Sequence, residues 1–279
     1  MPRAKRFDWG NFLVRAASGL VLGSAALWSV WVFDEPGGLW RAPFLVLVAV
    51  GGALLSLEWA GMAAPRSSTR VAVATTLAVV TVIFLAFVNR YVAAWACVVL
   101  GALAAAAVAR AASARAIDAA YGVLYIAPAC LVIVWLREMP QGRGWILMLF
   151  AVTWAADIAA FLMGNALKGP KLWPRFSPNK TWAGFVGGLV GAMAASVGVA
   201  ASPVMRLSLI GAAFIGLAGG LATMAGDLWE SMLKRRFGVK DSGDIIPGHG
   251  GLLDRVDGLM FAVMAFAIAR IVVHYGWAH

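Results

Sequence analysis

Charge is scarce in this chain of 279 residues. Charged side chains make up 13% of it and hydrophobic ones 62%, with a mean hydropathy of +0.84. A water-soluble chain carries about twice that charge, so an ordinary soluble domain is excluded and much of the apolar surface must face lipid. Acidic residues are the scarcer sign, 13 against 23 Lys and Arg, giving a net charge of +10. In a soluble chain that excess would suggest nucleic acid. In a membrane chain it points to the positive-inside bias and to anionic headgroups or nucleotides, and nucleic acid is not an expected partner. Cysteine is nearly absent: Cys97 and Cys130 lie in apolar runs and read as small buried hydrophobes. No cleavable signal peptide is expected, because the first apolar run, residues 11–33, is too long for an h-region and lacks a cleavage site.

What is present is a series of long apolar runs. A spanning helix needs about 20 mostly apolar residues. That window predicts an all-α polytopic fold with about nine transmembrane helices, over 11–33, 42–64, 71–88, 91–109, 117–136, 145–166, 181–202, 207–226 and 257–277. The third and fourth are separated only by Asn89 and Arg90, which implies a tight αα-hairpin. Alternating the loops places 16 Lys and Arg on the side of the N-terminal tail, 65–70, 110–116, 167–180 and 227–256, and 5 on the other side. The N-terminus is therefore expected in the cytoplasm and the C-terminus outside, in a multi-pass protein of the cell (inner) membrane. Trp9, Trp31, Trp40, Trp145 and Trp277 fall near span ends, where interfacial anchors belong. The halves differ: residues 1–145 hold little beyond about five spans and short loops. Residues 146–279 hold most of the unusual polar features, with polar loops at 167–180 and 227–256.

Six of the 13 carboxylates lie between Asp227 and Asp257, beside Lys234, Arg235, Arg236, Lys240 and Arg255. Asp227, Glu230, Ser231 and Lys234 are spaced to share one helix face if the eighth span continues into this segment. A glycine-rich loop containing His249 follows, and Asp254 and Asp257 then stand one turn apart at the start of the ninth span. Carboxylates converging from two helix ends are hard oxygen ligands suited to Mg²⁺. Nearby Lys and Arg can neutralise phosphate oxygens, and glycines let backbone N–H groups approach them. That combination suits phosphoryl or nucleotidyl transfer. The alternative is a solvated charged loop.

The residue order favours chemistry. The run Ser231-Met-Leu-Lys234-Arg235, four residues, Lys240-Asp241-Ser-Gly243, then Ile246-Pro247-Gly-His249-Gly250-Gly251-Leu-Leu-Asp254-Arg255-Val-Asp257 resembles the 27-residue signature of CDP-diacylglycerol synthases (phosphatidate cytidylyltransferases) at every defined position. Ser177-Pro178-Asn179-Lys180-Thr181 is similar to a second family segment, and Asp157 with Ala160, Phe161 and Gly164 to its intramembrane helix. Ala183 departs from the acidic or amide residue common there, and Ile158 and Ala159 from a small hydroxyl residue and glycine. The resemblance implies an enzyme that converts CTP and phosphatidic acid to CDP-diacylglycerol and pyrophosphate with Mg²⁺ or another divalent cation, and it implies a homodimer.

On that reading Asp227 and Asp254 are the expected metal ligands and meet across the glycine-rich turn. Asp257 either binds metal or orients Arg255. Asp157, mid-span, is too costly to leave without a polar cavity or partner and is a further candidate ligand. Lys234 and Arg255 are expected to be catalytic with Asp227 and Asp254. Ser177, Lys180, Thr181, Ser231, Arg235, Lys240, Asp241, His249, Gly250 and Gly251 are expected to bind substrate; for His249 a loop-ordering bond is an equal alternative. Glu58, inside the second span, raises the same cost argument without a surrounding motif. Arg15 and Arg270 are expected to snorkel or pair. The rival readings are a CTP-using isoprenoid enzyme, such as a CDP-archaeol synthase or a polyprenol kinase, and a transporter built on Asp157 and Glu58.

Overall fold

The structure, a computed structural model, describes residues 9–31, 42–174, 177–248 and 250–276. Among them are nine helices: α1 Trp9–Trp31, α2 Ala42–Ala63, α3 Ser68–Phe87, α4 Tyr91–Ala111, α5 Ala116–Glu138, α6 Gly142–Leu167, α7 Trp182–Ala200, α8 Leu209–Arg236 and α9 Leu253–Gly276. Helices α2 to α9 are each long and apolar enough to span a membrane, while the apolar stretch of α1, Ala17–Trp31, is shorter. The protein is a multi-pass membrane protein. Large side chains such as Val92 and Ile210 lie bare on the bundle's outer faces, a surface that only lipid covers without cost.

Among the described residues eight of the nine predicted spans are long apolar helices, and their bounds differ most where a helix outruns its apolar stretch. α8 was bounded at 226 by the onset of charge, yet it continues to Arg236. Its 28 residues make a rod of about 42 Å, longer than the ~30 Å hydrocarbon layer, so the last turns lie where charge can be solvated. α9 likewise begins four residues early, at Leu253. The α3–α4 hairpin turns through Asn89 in the left-handed conformation, which asparagine tolerates, and the Arg90 N–H closes the turn by donating to Leu85 O at 2.8 Å. The one non-helical element lies in the loop before α7. There β1 (Lys171–Trp173) and β2 (Ser177–Thr181) form a short antiparallel hairpin pairing Lys171 with Thr181 and Trp173 with Ser177.

Helices α2 to α5 pack on one another, as do α6 to α9, and α5 joins the groups by lying against α6 and α9. The loops fall at two ends of the bundle. Arg66 and Arg70 share a pocket with Ala112, and Arg236 Nη2 contacts Asp118 Oδ1 at 2.5 Å, so the α2–α3 and α4–α5 loops, the start of α5 and the end of α8 sit together. At the other end Gln141 Oε1 accepts from the Arg206 N–H, and Arg137 Nη2 donates to Val30 O. The described loops of the positively biased set therefore share one end.

One expectation is revised here, and another is met in its second form, pairing. Trp145 is no interfacial anchor: it is buried in the bundle, edge-on to Phe266. Arg270 does not snorkel but is buried with its guanidinium 5.8 Å from the Trp145 ring centre, a cation–π contact that lessens its desolvation cost. Trp31 is exposed, with the Arg143 guanidinium 5.0 Å above its ring. Trp9 is described only as helix, and Trp40 and Trp277 lie outside the described residues.

Trp59 of α2 is the key to α2–α5 packing. It is fully buried, donates from Nε1 to Asp118 O at 2.8 Å, and touches the rings of Tyr121, Tyr125 and Phe237. Trp59→Ala is expected to lower the stability of purified protein by about 3–5 kcal/mol, read as an earlier thermal unfolding midpoint in detergent.

Candidate active site

The predicted site residues gather where α8, α9 and β2 meet. α8 and α9 run antiparallel, so each step of three residues along α8 is matched by three back along α9. Glu230 therefore faces Asp254, and Asp227 faces Asp257 within hydrogen-bonding reach. Close approach is possible because Gly226 and Gly258 have no side chains at the crossing. A Cβ at Gly226 would strike the Asp257 carbonyl, and one at Gly258 would stand 2.7 Å from the Thr223 methyl. Small residues are how membrane helices bring backbones together.

Two lysines answer the four carboxylates. Lys234 Nζ lies 2.7 Å from Glu230 Oε2, one turn earlier on α8, and 2.6 Å from Asp254 Oδ1 across on α9. Glu230 is buried, so this bridge is partly withdrawn from water and is strong only while both partners stay in place. Asp254 Oδ2 also accepts the backbone N–H groups of Ser242 and Gly251 at 3.1 and 3.3 Å. Lys180 reaches from the end of β2 to Asp227 Oδ2 at 2.5 Å. Asp157 of α6 is accessible and lies within the electrostatic reach of Asp227, Lys180 and Arg255, so it opens onto the same recess.

This geometry changes one expectation. Asp227 does not meet Asp254: the antiparallel register gives it Asp257 as neighbour, while Asp254 is engaged by Lys234 and the loop backbone. The carboxyl of Asp257, buried, also accepts the N–H of Gly258 at 2.7 Å. Among the described residues no group of three or more Asp, Glu, His or Cys side chains is arranged to hold a metal ion. Two adjacent carboxylates still match a cation that keeps several waters and takes its other ligands from substrate phosphates, as Mg²⁺ does.

The remaining candidates take different places. Thr181 is buried and its hydroxyl caps α7, accepting from the Gly184 N–H at 3.1 Å. Ser177 lies in β2 beside Trp173. Ser231 is half-buried on α8, while Arg235, Lys240, Asp241 and Arg255 are exposed, Arg255 within electrostatic reach of Asp157. Gly250 adopts φ +82° and pairs with Ile246 through two backbone hydrogen bonds, closing the glycine-rich loop on itself. Gly251 is buried, and His249 lies outside the described residues.

Sequence reasoning missed one contributor, Asp118, and singled out another, Glu58, without a partner. Asp118, buried at the start of α5, binds Arg236 at the end of α8. Glu58, buried near the end of α2, accepts the N–H groups of Leu252 and Leu253, each at 2.7 Å, with Ser242 Oγ at 3.2 Å. Asp118 belongs to no motif, and Glu58 carried only the signal that a lone carboxylate inside an apolar run needs a partner.

A model of the cytidylyltransferase family matches residues 13–273. The chain belongs to the cytidylyltransferase family. Phosphatidate cytidylyltransferase of Brucella suis is 37% identical over 253 residues, covering 90% of both chains. Similar enzymes of the same name from Pseudomonas aeruginosa, 38% identical over 52% of this chain and 54% of that protein, and Staphylococcus saprophyticus, 39% over 55% and 60%, match shorter stretches.

In this family member Gly226→Ala is expected to force α9 away from α8 and part Asp227 from Asp257. Displacements near 1 Å at reacting groups cost on the order of 100-fold. Cytidylyl transfer in membranes containing equal protein should fall accordingly, and activity near wild type would refute the close-approach argument.

Proposed function

We propose that the protein transfers the cytidylyl group of CTP to phosphatidic acid, forming CDP-diacylglycerol and pyrophosphate in phospholipid synthesis. The observation that carries this reading is the pairing of the signature segment with Lys180: carboxylates from α8 and α9 and a lysine from the second motif share one recess. Membership of the family and the relatives' shared name support it. The isoprenoid rivals are less favoured because the whole signature is that of phosphatidate enzymes. The transporter reading is disfavoured because Glu58 is engaged by backbone N–H groups and does not line a central path.

The nucleophile is an oxygen of the lipid phosphate, already anionic near neutral pH, so a strong general base is dispensable. This oxygen forms a bond to the α-phosphorus of CTP while the bond from that phosphorus to the oxygen bridging to the β-phosphate breaks, and pyrophosphate leaves with the electron pair. The barrier is chiefly electrostatic, since two polyanions must meet in line. Asp227 and Asp257 would hold a divalent cation, Mg²⁺ by preference, with Asp157 facing the same recess and Asp254 one turn away. Such an ion would supply positive charge against the triphosphate and the leaving pyrophosphate.

The protein's own residues do the rest. Lys180 exchanges Asp227 for a phosphate oxygen as substrate enters, and Ser177 orders the neighbouring strand. Lys234 keeps Glu230 and Asp254 apart from incoming negative charge. Arg255, Lys240 and Arg235 would make the rim attractive to nucleotide, while Ser231, Asp241, Gly250 and Gly251 would shape the loop side of the pocket. The lipid enters laterally with its headgroup toward the recess. The surplus of Lys and Arg in the loops at this end supports a cytoplasmic placement in the bacterial inner membrane, where CTP is found, and the family resemblance supports a homodimer.

Asp227→Asn and Asp254→Asn are each expected to lower divalent-dependent formation of labelled CDP-diacylglycerol by on the order of 100- to 1,000-fold at unchanged protein level. Retained activity in either variant removes that residue from the mechanism.

A further inference from the structure

We infer that Glu58, a buried carboxylate of α2 outside both sequence motifs, is a positioning residue that sets the height of α9, and with it Asp254 and Asp257, against α8. The inference rests on the reading of those two aspartates as site residues. Its basis is a convergence of donors. The N–H groups of Leu252 and Leu253, at the start of α9, each donate to a different oxygen of Glu58, and Ser242 Oγ donates to Oε2. The first N–H groups of a helix have no partner within it, and a side chain at the N-cap ordinarily supplies one. Here an acid 195 residues from Leu253 takes that place. Its charge also complements the positive end of the helix dipole.

The surrounding loop is shaped to admit this carboxylate. A Cβ at Gly243 would stand 3.1 Å from Glu58 Cγ and 3.2 Å from Oε1, and one at Gly251 would collide with Ser242 Oγ and lie 3.0 Å from Glu58 Oε2. Two glycines of the signature thus serve an acid far outside it. Asp254 continues the arrangement, taking the N–H groups of Ser242 and Gly251 on one oxygen and Lys234 on the other. The backbone at Ser242 and at Gly251–Leu253 is held by Glu58 of α2 and by Asp254, which Lys234 of α8 engages in turn. Any shift of Glu58 reaches Asp254 through one rigid turn.

Every donor at Glu58 needs an acceptor, which makes the isosteric amide the informative change. In Glu58→Gln the NH₂ group must face an N–H or displace it, and the charge is gone. Glu58→Asp keeps the charge and acceptors but is one methylene short. In purified full-length protein, Glu58→Gln should speed hydrogen exchange in the segment containing Leu252 and Leu253 by at least about tenfold, leaving α3 and α4 unchanged. In phosphatidate vesicles it should lower kcat by at least about tenfold and raise the Mg²⁺ concentration for half-activation, with KM for CTP within about threefold and recovery toward wild type in Glu58→Asp. Gly243→Ala, which crowds Glu58 while leaving its charge, should reproduce the pattern, and it serves as the decisive variant if Glu58→Gln does not accumulate.

Unchanged exchange in Glu58→Gln overturns the anchor. Faster exchange with wild-type kcat and Mg²⁺ response overturns the positioning role. A lower thermal midpoint alone, with full turnover per folded molecule, does the same. Exchange is read without substrate, so absence of CTP-dependent turnover in the wild type would sink the reaction assignment while exchange still judged the anchor.

Discussion

The turn that leads into α9 hangs on one buried hydrogen-bonded contact between the halves of the bundle: the Glu58 carboxylate against the start of α9. A carboxylate removed from water is tolerable only when its oxygens are hydrogen-bonded, and three donors supply that. Donors and acceptor must in turn be held at fixed separation. Trp59, the next residue, does this for α2 by burying its indole against α5 and bonding the Asp118 carbonyl. The Asp118 side chain then holds Arg236 at the end of α8. Both helices that bear the clustered carboxylates are thus tethered, α9 to α2 and α8 to α5.

Within that frame the spacing of charge follows from the antiparallel register. Four carboxylates on two touching helices repel one another, and two lysines from different directions make the crowd stable. Their environments differ. Lys234 lies between two carboxylates with its side chain 14% exposed, and Lys180 contacts one with 32% exposed. The more enclosed lysine has more to lose by moving, because leaving would strand two buried charges. Lys180 sits on a short hairpin and gives up only one contact. That asymmetry sets apart two lysines whose difference in enclosure the sequence does not contain.

Much of the fold was legible because lipid imposes a simple rule: apolar runs near 20 residues become helices. The rule also explains the errors. It ended α8 at the first charges, although backbone hydrogen bonding continues for ten residues into Arg236. It placed Trp145 at an interface by position alone, when packing against Phe266 and Arg270 decided its burial. At the site, the i, i+3, i+4 and i+7 pattern located one face of α8 and the one-turn spacing located Asp254 and Asp257. Neither pattern contains the register between the helices. Only Gly226 and Gly258, read as a contact, turn two local motifs into the pairs Asp227–Asp257 and Glu230–Asp254. Glu58 and Asp118 were illegible as partners because their contacts lie 194 and 118 residues away.

The N-terminal helices therefore do more than hold the protein in the membrane. If α2 to α5 served only as an anchor, polar side chains facing the C-terminal helices would carry a burial cost without return. Glu58 and Asp118 are instead buried and both bind groups of the signature segment, at Leu252, Leu253 and Arg236. The signature's glycines at 243 and 251 leave the space that Glu58 fills. A motif that looks self-contained along the chain is thus completed by a residue outside it. The signature runs from α8 through the loop into α9, and the turn that joins them is anchored from α2.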